Sequence, residues 1–308
     1  IRSFAVAAGF GLASALSVII LGDESGYTTG EVQKVKLAAI EAEWETHPAP
    51  AGITVFGLPN QEQERTDYAV KIPYVLGLIA TRSTDTPVIG IKDLKKSHEW
   101  RIRSGMEAYG ALSRIKAGDT SDATRLQFEQ HKADLGYGLL VKPYAPNVVD
   151  ASAADIARAV NDTIPKVAPL FWAFRGMVAL GIGFLFIFAA SFWFLVRKQL
   201  APQRWLLRLC VLAIPLPWVA IELGWFVAEY GRQPWAISGI LPTRLAASSV
   251  APSQVWGSLI TICSIYLALF AVELFLMIKT IRKGPASLAT GRYHGETANL
   301  VALEANHA

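Results

Sequence analysis

The run from Gly176 to Val196 contains no ionisable residue, and this constrains the fold more than any other feature of the chain. A helix rises about 1.5 Å per residue, so about 20 apolar residues cross a hydrocarbon layer of about 30 Å. Inside that layer water cannot satisfy peptide groups, which leaves a hydrogen-bonded helix or a closed barrel as the only spanning forms. Three further stretches approach the same length and character: Phe4 to Leu21, Leu209 to Ala228 and Val250 to Ile278. Hydrophobic residues make up 52% of the 308 and charged residues 18%, which fits a chain whose apolar residues are gathered into membrane blocks. The expected fold is an all-α integral membrane protein with four transmembrane helices and one large, mostly helical polar domain.

The expected division places transmembrane helices at 1–21, 167–196, 205–229 and 250–278. An extracytoplasmic domain occupies 22–166, an outer loop 230–249 and a cytoplasmic tail 279–308. Orientation follows the distribution of Lys and Arg in short segments flanking the spans. Arg197, Lys198, Arg204 and Arg208 cluster after the second span, and Lys279, Arg282, Lys283 and Arg292 after the fourth, so both segments are assigned to the cytoplasm. Arg2 at the head of the first span agrees. The chain opens on Ile1 rather than on a methionine, and loss of upstream sequence by processing or truncation is expected. A signal peptide would also begin with Arg2 and an apolar run, but no small-x-small cleavage pattern closes that run before Gly22 and Asp23. A spanning helix lacking its first turn is the preferred expectation.

The polar segment carries its own helical signals. Glu31 to Glu45 combines strong helix formers with opposite charges at useful separations, and HPAPAG ends it. Thr54–Gly57 and Ala69–Val75 read as short strands or extended chain. Helices are expected over Ile91–Lys116, Ser121–Asp134 and Ala153–Asn161. Cys210 and Cys263 both fall in membrane blocks, which argues against a disulfide-stapled outer domain and against a thiolate metal cluster. The five histidines have no ligand-like partner at i,i+4, and neither a phosphate-binding glycine loop nor a basic-aromatic ladder for nucleic acid is present.

Ionisable groups inside or at the rim of a span are costly and commonly functional. In the third span Glu222, Trp225, Glu229 and Arg232 follow at separations of three, four and three, which places them on one helix face. Two readings of Glu229 stand side by side: a rim ion pair with Arg232, or a carboxylate that ligates a metal or haem or carries protons. Pro215 and Pro217 interrupt the same span and are expected to bend it. In the second span Met177 is either gap-filling packing or a soft thioether ligand for haem iron. Arg175 is placed to neutralise a propionate or a neighbouring carboxylate. Met177 and Glu229 fall at the same outer depth. Glu273 in the last span reads equally as hydrogen-bonded packing or as part of a proton route.

Four motifs together carry a resemblance: GDESGY at Gly22–Tyr27, KLAAIEAEWE at Lys36–Glu45, FRGM at Phe174–Met177 and WFVAEYGRQPW at Trp225–Trp235. With the ending KTIRKGPASLATGRYH, the sequence resembles the larger, haem-bearing subunit of the cytochrome bd ubiquinol oxidase family, in its long quinol-loop form. That family subunit has about nine spans, so the resemblance implies that this sequence supplies the last four and that other haem ligands lie upstream. It implies three cofactors: a low-spin haem b with Met177 as iron ligand and Arg175 beside it, a high-spin haem b with Glu229 as iron ligand, and haem d. Trp225 would lie next to the di-haem site with Arg232 nearby. Lys36 and Glu41 would serve quinol oxidation. The implied activity is oxidation of ubiquinol at the outer face and reduction of molecular oxygen to water, generating a proton gradient. The implied partners are a second, haem-free membrane subunit and a very small single-span one, in the bacterial inner membrane. A haem-free transporter and a structural subunit of a respiratory complex are the competing classes. Lys36 and Glu41 are five residues apart, so on one helix they point about 140° from each other and are not expected to meet the same small ligand directly.

Overall fold

The computed structural model describes residues 2–283. The cytoplasmic tail expected over 279–308 lies outside the described residues beyond Lys283. The described residues divide into two compact units, one up to 247 and one from 248.

The first unit opens with α1 (Arg2–Val32), followed by α2 (Lys34–Glu41). The helix does not stop where the apolar run ends at Leu21: GDESGY continues it, because nothing in that stretch breaks a helix once its first turns are fixed. Arg82 holds this polar extension by pairing with Asp23 and, at 3.1 Å, with Glu24. The helical signal expected over Glu31–Glu45 is correspondingly shorter, beginning after Gln33 and ending at Ala42, which is left-handed with φ 52°.

An antiparallel hairpin follows, β1 (Ile53–Asn60) with β2 (Arg65–Ile72), in register Ile53 to Ile72 and Asn60 to Arg65 and irregular around Phe56. It turns the two short extended stretches of the sequence into a small sheet. The short helix α3 (Val75–Thr81) packs back on α1. The long helix α4 (Ile91–Lys116) buries Ile91, Leu94, His98, Ile102, Gly105, Ala108 and Ala111, a spacing of three and four that puts them on one face. Against that face lie α5 (Asp122–His131), the short turn α6 (Leu135–Gly138) and α7 (Ala153–Asp162). A capping box starts α7: the Ser152 hydroxyl accepts from Asp155 N–H and the Asp155 carboxylate accepts from Ser152 N–H, satisfying two otherwise orphaned donors. The crossing of α4 and α6 is glycine on glycine. A Cβ at Gly105 would lie 2.2 Å from the Asp134 carbonyl oxygen, and one at Gly138 would lie 2.3 Å from the Gly105 carbonyl carbon.

Two membrane-directed elements complete this unit. The helix α8 runs over Val167–Val196, starting after Lys166 and ending before Arg197. The third span is broken, as the prolines require: α9 (Arg204–Leu212) and α10 (Leu216–Tyr230) meet at 45°, with Pro215 preceding α10 and Pro217 in its first turn, where the missing N–H costs nothing. Small residues let α8 and α10 approach: Gly176 faces Leu223 and Gly224 faces Met177, the close-packing device of helices in lipid. A small hairpin, β3 (Trp235–Ile237) with β4 (Leu241–Pro242), closes the turn after α10. The second unit is described by a single helix, α11 (Pro252–Lys283). Among the described residues three helices have the length and apolarity to cross a membrane, each with mean hydropathy 2.3 over its best window, and the bent α9–α10 pair makes a fourth. The all-α membrane architecture is therefore realised, with two small hairpins added to it.

Candidate functional site

Two buried cores frame the site. One joins Ala38, Ile40 and Trp44 to Leu170 and Phe171 of α8 and Val227 of α10. The other joins Ile102 of α4 to Tyr137, Val160 and Trp235. The first fixes α2 against the outer end of α8, and this packing decides where Lys36 and Glu41 go.

Glu41 is 2% exposed, and its carboxylate accepts from Arg175 Nη2 at 2.9 Å. Arg175 also donates to the Ile40 carbonyl at 2.7 Å, the Phe171 carbonyl at 3.2 Å and, through Nε, the Thr54 carbonyl at 2.8 Å. Its guanidinium lies over the Phe171 ring at 3.4 Å from the centroid. One cation thus caps the carbonyl end of α2, ties β1 to α8 and neutralises a buried carboxylate. Arg175 is thus paired with a neighbouring carboxylate, that of Glu41. Burial pushes the Glu41 carboxyl up to about 7, with Arg175 pulling the other way. A second buried carboxylate, Glu43, accepts from Lys71 at 2.8 Å and pairs with His47 at 3.0 Å.

Lys36 points elsewhere. Its stem rests on Gly231, where an added Cβ would lie 3.0 Å from Cγ. Burial lowers the Lys36 ammonium pKa, and the nearby Arg232 charge adds to this while Glu229 opposes it. Glu229 and Arg232 form an ion pair, so the rim pairing considered for these two residues is present. The divergence anticipated from helical geometry holds: Lys36 joins Glu229 and Arg232 at the end of α10, and Glu41 joins Arg175 on α8.

Met177 is half-buried, with its sulfur seated in the notch left by Gly224, about one and a half turns before Glu229 on α10. Trp225 is 63% exposed and Glu222 is exposed, so their part of the stripe is not packed by the described residues. No group of three or more His, Cys, Asp or Glu side chains able to hold a metal ion is present among the described residues. A haem asks for less, because the macrocycle supplies four iron ligands and the protein only the axial ones. A half-buried thioether, a rim carboxylate and adjacent cations suit that requirement.

Sequence reasoning passed over His98. It is 6% exposed, stands between Leu94 and Ile102 on the buried face of α4, and bonds Thr163 through Nδ1 at 2.8 Å. A polar residue at a core position of a helical stripe was the available signal. Arg101 was passed over too: it bonds Asp134 at 2.6 Å and Tyr137 Oη at 3.1 Å, and its guanidinium lies over the Tyr137 ring.

The profile of the cytochrome bd terminal oxidase subunit I family matches residues 1–285. The chain belongs to that family. Among curated subunit I relatives it is similar to cytochrome bd-II ubiquinol oxidase subunit 1 of Escherichia coli (strain K12), at 41% identity over 94% of this chain and 56% of the relative. It is also similar to cytochrome bd ubiquinol oxidase subunit 1 of Bacillus subtilis (strain 168), at 28% identity over 92% of this chain and 49% of the relative. A putative cytochrome bd menaquinol oxidase subunit I from the same organism is 26% identical over 90% of this chain and 46% of its own length. The chain spans about half the length of the curated subunit I relatives it matches.

Proposed function

We propose that this chain is the carboxy-terminal part of subunit I of a quinol:oxygen oxidoreductase, acting in the inner membrane with a haem-free membrane subunit and a very small single-span one. Quinol is oxidised on the outer side, and oxygen is reduced to water with protons taken from the cytoplasm, so the membrane is charged without a pump. The observation that carries this reading is the match to the subunit I family over residues 1–285, together with a relative named as a ubiquinol oxidase subunit.

In this reading Met177 holds the low-spin haem b, and Gly224 leaves the room its sulfur occupies. Glu229 holds the high-spin haem b, with Arg232 balancing its charge and Trp225 beside it. Arg175 keeps Glu41 in place at the outer end of α8. The haems, including haem d, supply one-electron transfer and oxygen chemistry when bound. Glu41, with its carboxyl raised to about 7, is matched to accept a substrate proton near neutral pH and return it to the outer side. Lys36, on α2 with its stem against Gly231 just past the end of α10, is the second residue serving quinol oxidation.

The test is a reduced-minus-oxidised spectrum of the assembled complex with quinol-driven oxygen consumption measured beside it. Red-absorbing haem d and two b-type signals are expected. Glu229→Gln should weaken the high-spin b signal while quinol still reduces the low-spin haem, and Met177→Leu, which nearly preserves volume, should alter the low-spin signal. A full haem complement with unaltered spectra in both variants would remove the ligand assignments.

A further inference from the structure

The hairpin β1–β2 is built the wrong way out for an element surrounded by water. Its inner side is small and polar: Thr54 and Gly57 are buried, and a Cβ at Gly57 would lie 2.5 Å from Thr66 Cγ2. The Thr66 hydroxyl in turn donates to the Ala42 carbonyl at 3.3 Å and accepts from Trp44 Nε1 at 3.0 Å. The large apolar side chains are outside. Val55, Phe56, Val70 and Ile72 are 47–58% exposed among the described residues, and Phe56 pairs directly with Val70, which puts those two on one face. A sheet with one face in water turns its large apolar residues inward and its polar ones outward. Here the order is reversed, so the outer face calls for an apolar cover.

Three contacts fix the depth of the hairpin along α8. Val167 N–H donates to Gln61 Oε1 at 2.9 Å, Phe56 meets Trp172 edge-on with ring centroids 5.4 Å apart, and Arg175 Nε donates to the Thr54 carbonyl at 2.8 Å. Going inward along α8, the hairpin therefore changes from its polar turn, Asn60 to Arg65, to its apolar open end. The helix α8 supplies the depth scale. Trp172, Ala179, Phe186 and Trp193 follow at intervals of seven, are all exposed, and share one face. Three such intervals separate the two tryptophans, about 30 Å of helix, which is the thickness of the hydrocarbon layer. Tryptophans at the two ends of a span mark the two membrane–water interfaces. The Arg197 guanidinium lies over the Trp193 ring, 4.6 Å from its centroid, at the inner one. Trp172 then stands at the outer interface, and the open end of the hairpin is level with it.

We propose that the open end of this hairpin is seated in the outer leaflet, with Val55, Phe56, Val70 and Ile72 among phospholipid headgroups and upper acyl chains. The lipid-facing stripe of α8 continues through Trp172 onto Phe56, so the two form one surface. A protein partner would cover apolar side chains wherever they stood. Sorting by depth, polar outward and apolar inward, is what a lipid interface imposes.

The experiment uses the complete oxidase complex in phosphatidylcholine–phosphatidylethanolamine vesicles, with its other reactive cysteines replaced. A nitroxide is attached to Val70→Cys or, at the polar turn, to Glu62→Cys, and its collisions with oxygen and with a water-soluble nickel chelate are measured by power saturation. Oxygen collisions should dominate at position 70 and nickel collisions at position 62. Dominant nickel collisions at 70 would place it in water, and loss of both kinds there would mean that protein covers it; either overturns the proposal, as does the same preference at both positions. If Val70→Cys fails to assemble with its haems, the unmodified complex decides, in vesicles containing a phospholipid with a diazirine high on its acyl chain. Photo-adducts on residues 53–58 or 69–72 are expected, and adducts on α8 with none on the hairpin overturn the proposal.

Discussion

Glu41 is held in a condition that neither water nor a simple ion pair would give it. Its burial favours the protonated acid while Arg175 favours the carboxylate, and the balance leaves a group whose pKa rises from 4.5 to about 7. Because the folded state binds the proton more tightly than the unfolded chain, the stability this group contributes is fully present below about pH 4.5 and is lost as pH rises through about 7. The charged groups acting on it are Arg175, Glu43 and Lys71. Glu41→Gln keeps an acceptor for Arg175 and removes the titration. Thermal unfolding of the complex followed from pH 4.5 to 7.5 should show a flatter pH dependence in the variant than in the wild type. Quinol oxidation should fall at least about tenfold with all haem signals present, since loss of a positioned general base commonly costs more than that. Retained turnover would remove Glu41 from the proton path. At this scale the sequence was informative about residue types and silent about partners: Arg175 and Glu41 are 134 positions apart, and no local pattern joins them.

At the scale of elements, packing rests on a few places where a side chain has no room. The contact of Gly105 with Gly138 brings two backbones together at the crossing of α4 and α6, and α6 carries Tyr137, so the second core depends on it. Gly105→Ala would drive a methyl group into the Asp134 carbonyl and the Gly138 backbone. Rigid backbone cannot yield as a side chain would, and a destabilisation of about 1–3 kcal/mol is expected for such overpacking. Hydrogen exchange should show it as lost amide protection in α4 and α6 with protection of α8 unchanged. Helix α4 was expected over Ile91–Lys116, and the break between α9 and α10 was readable from Pro215 and Pro217. The continuation of α1 to Val32 was not readable, because hydropathy marks where lipid contact ends and not where hydrogen bonding ends.

For the molecule as a whole, the spans and the cationic segments fix a multi-pass inner-membrane topology with a large loop facing the periplasm. This makes a prediction about access. In the complex with Cys210 and Cys263 replaced, Thr84→Cys should react with a membrane-impermeant maleimide added to spheroplasts, whereas Gln199→Cys, next to Arg197 and Lys198, should react only after lysis. Labelling of both positions from outside would reverse the orientation of the α8–α9 connection. Many large apolar side chains on α10 and α11, among them Ile221, Leu267 and Phe270, are more than half exposed in the chain by itself, as expected of surfaces made for lipid or for other membrane helices.

Hydropathy and helical period are properties of neighbouring residues, and they determined what was legible without coordinates: the four apolar blocks, their orientation, the proline break, and the divergence of Lys36 from Glu41. The motifs shared with subunit I added the residues expected to serve haems and quinol. Tertiary structure decided which distant groups share a low-dielectric space, because that depends on how α2, α4, α8 and the turn after α10 pack. Only packing sets Arg175 against Glu41, brings Lys36 beside Glu229 and Arg232, and sets His98 against Thr163. Electrostatic and hydrogen-bond energies depend on separations of a few ångströms and on burial, and neither quantity is written in the local order of residues.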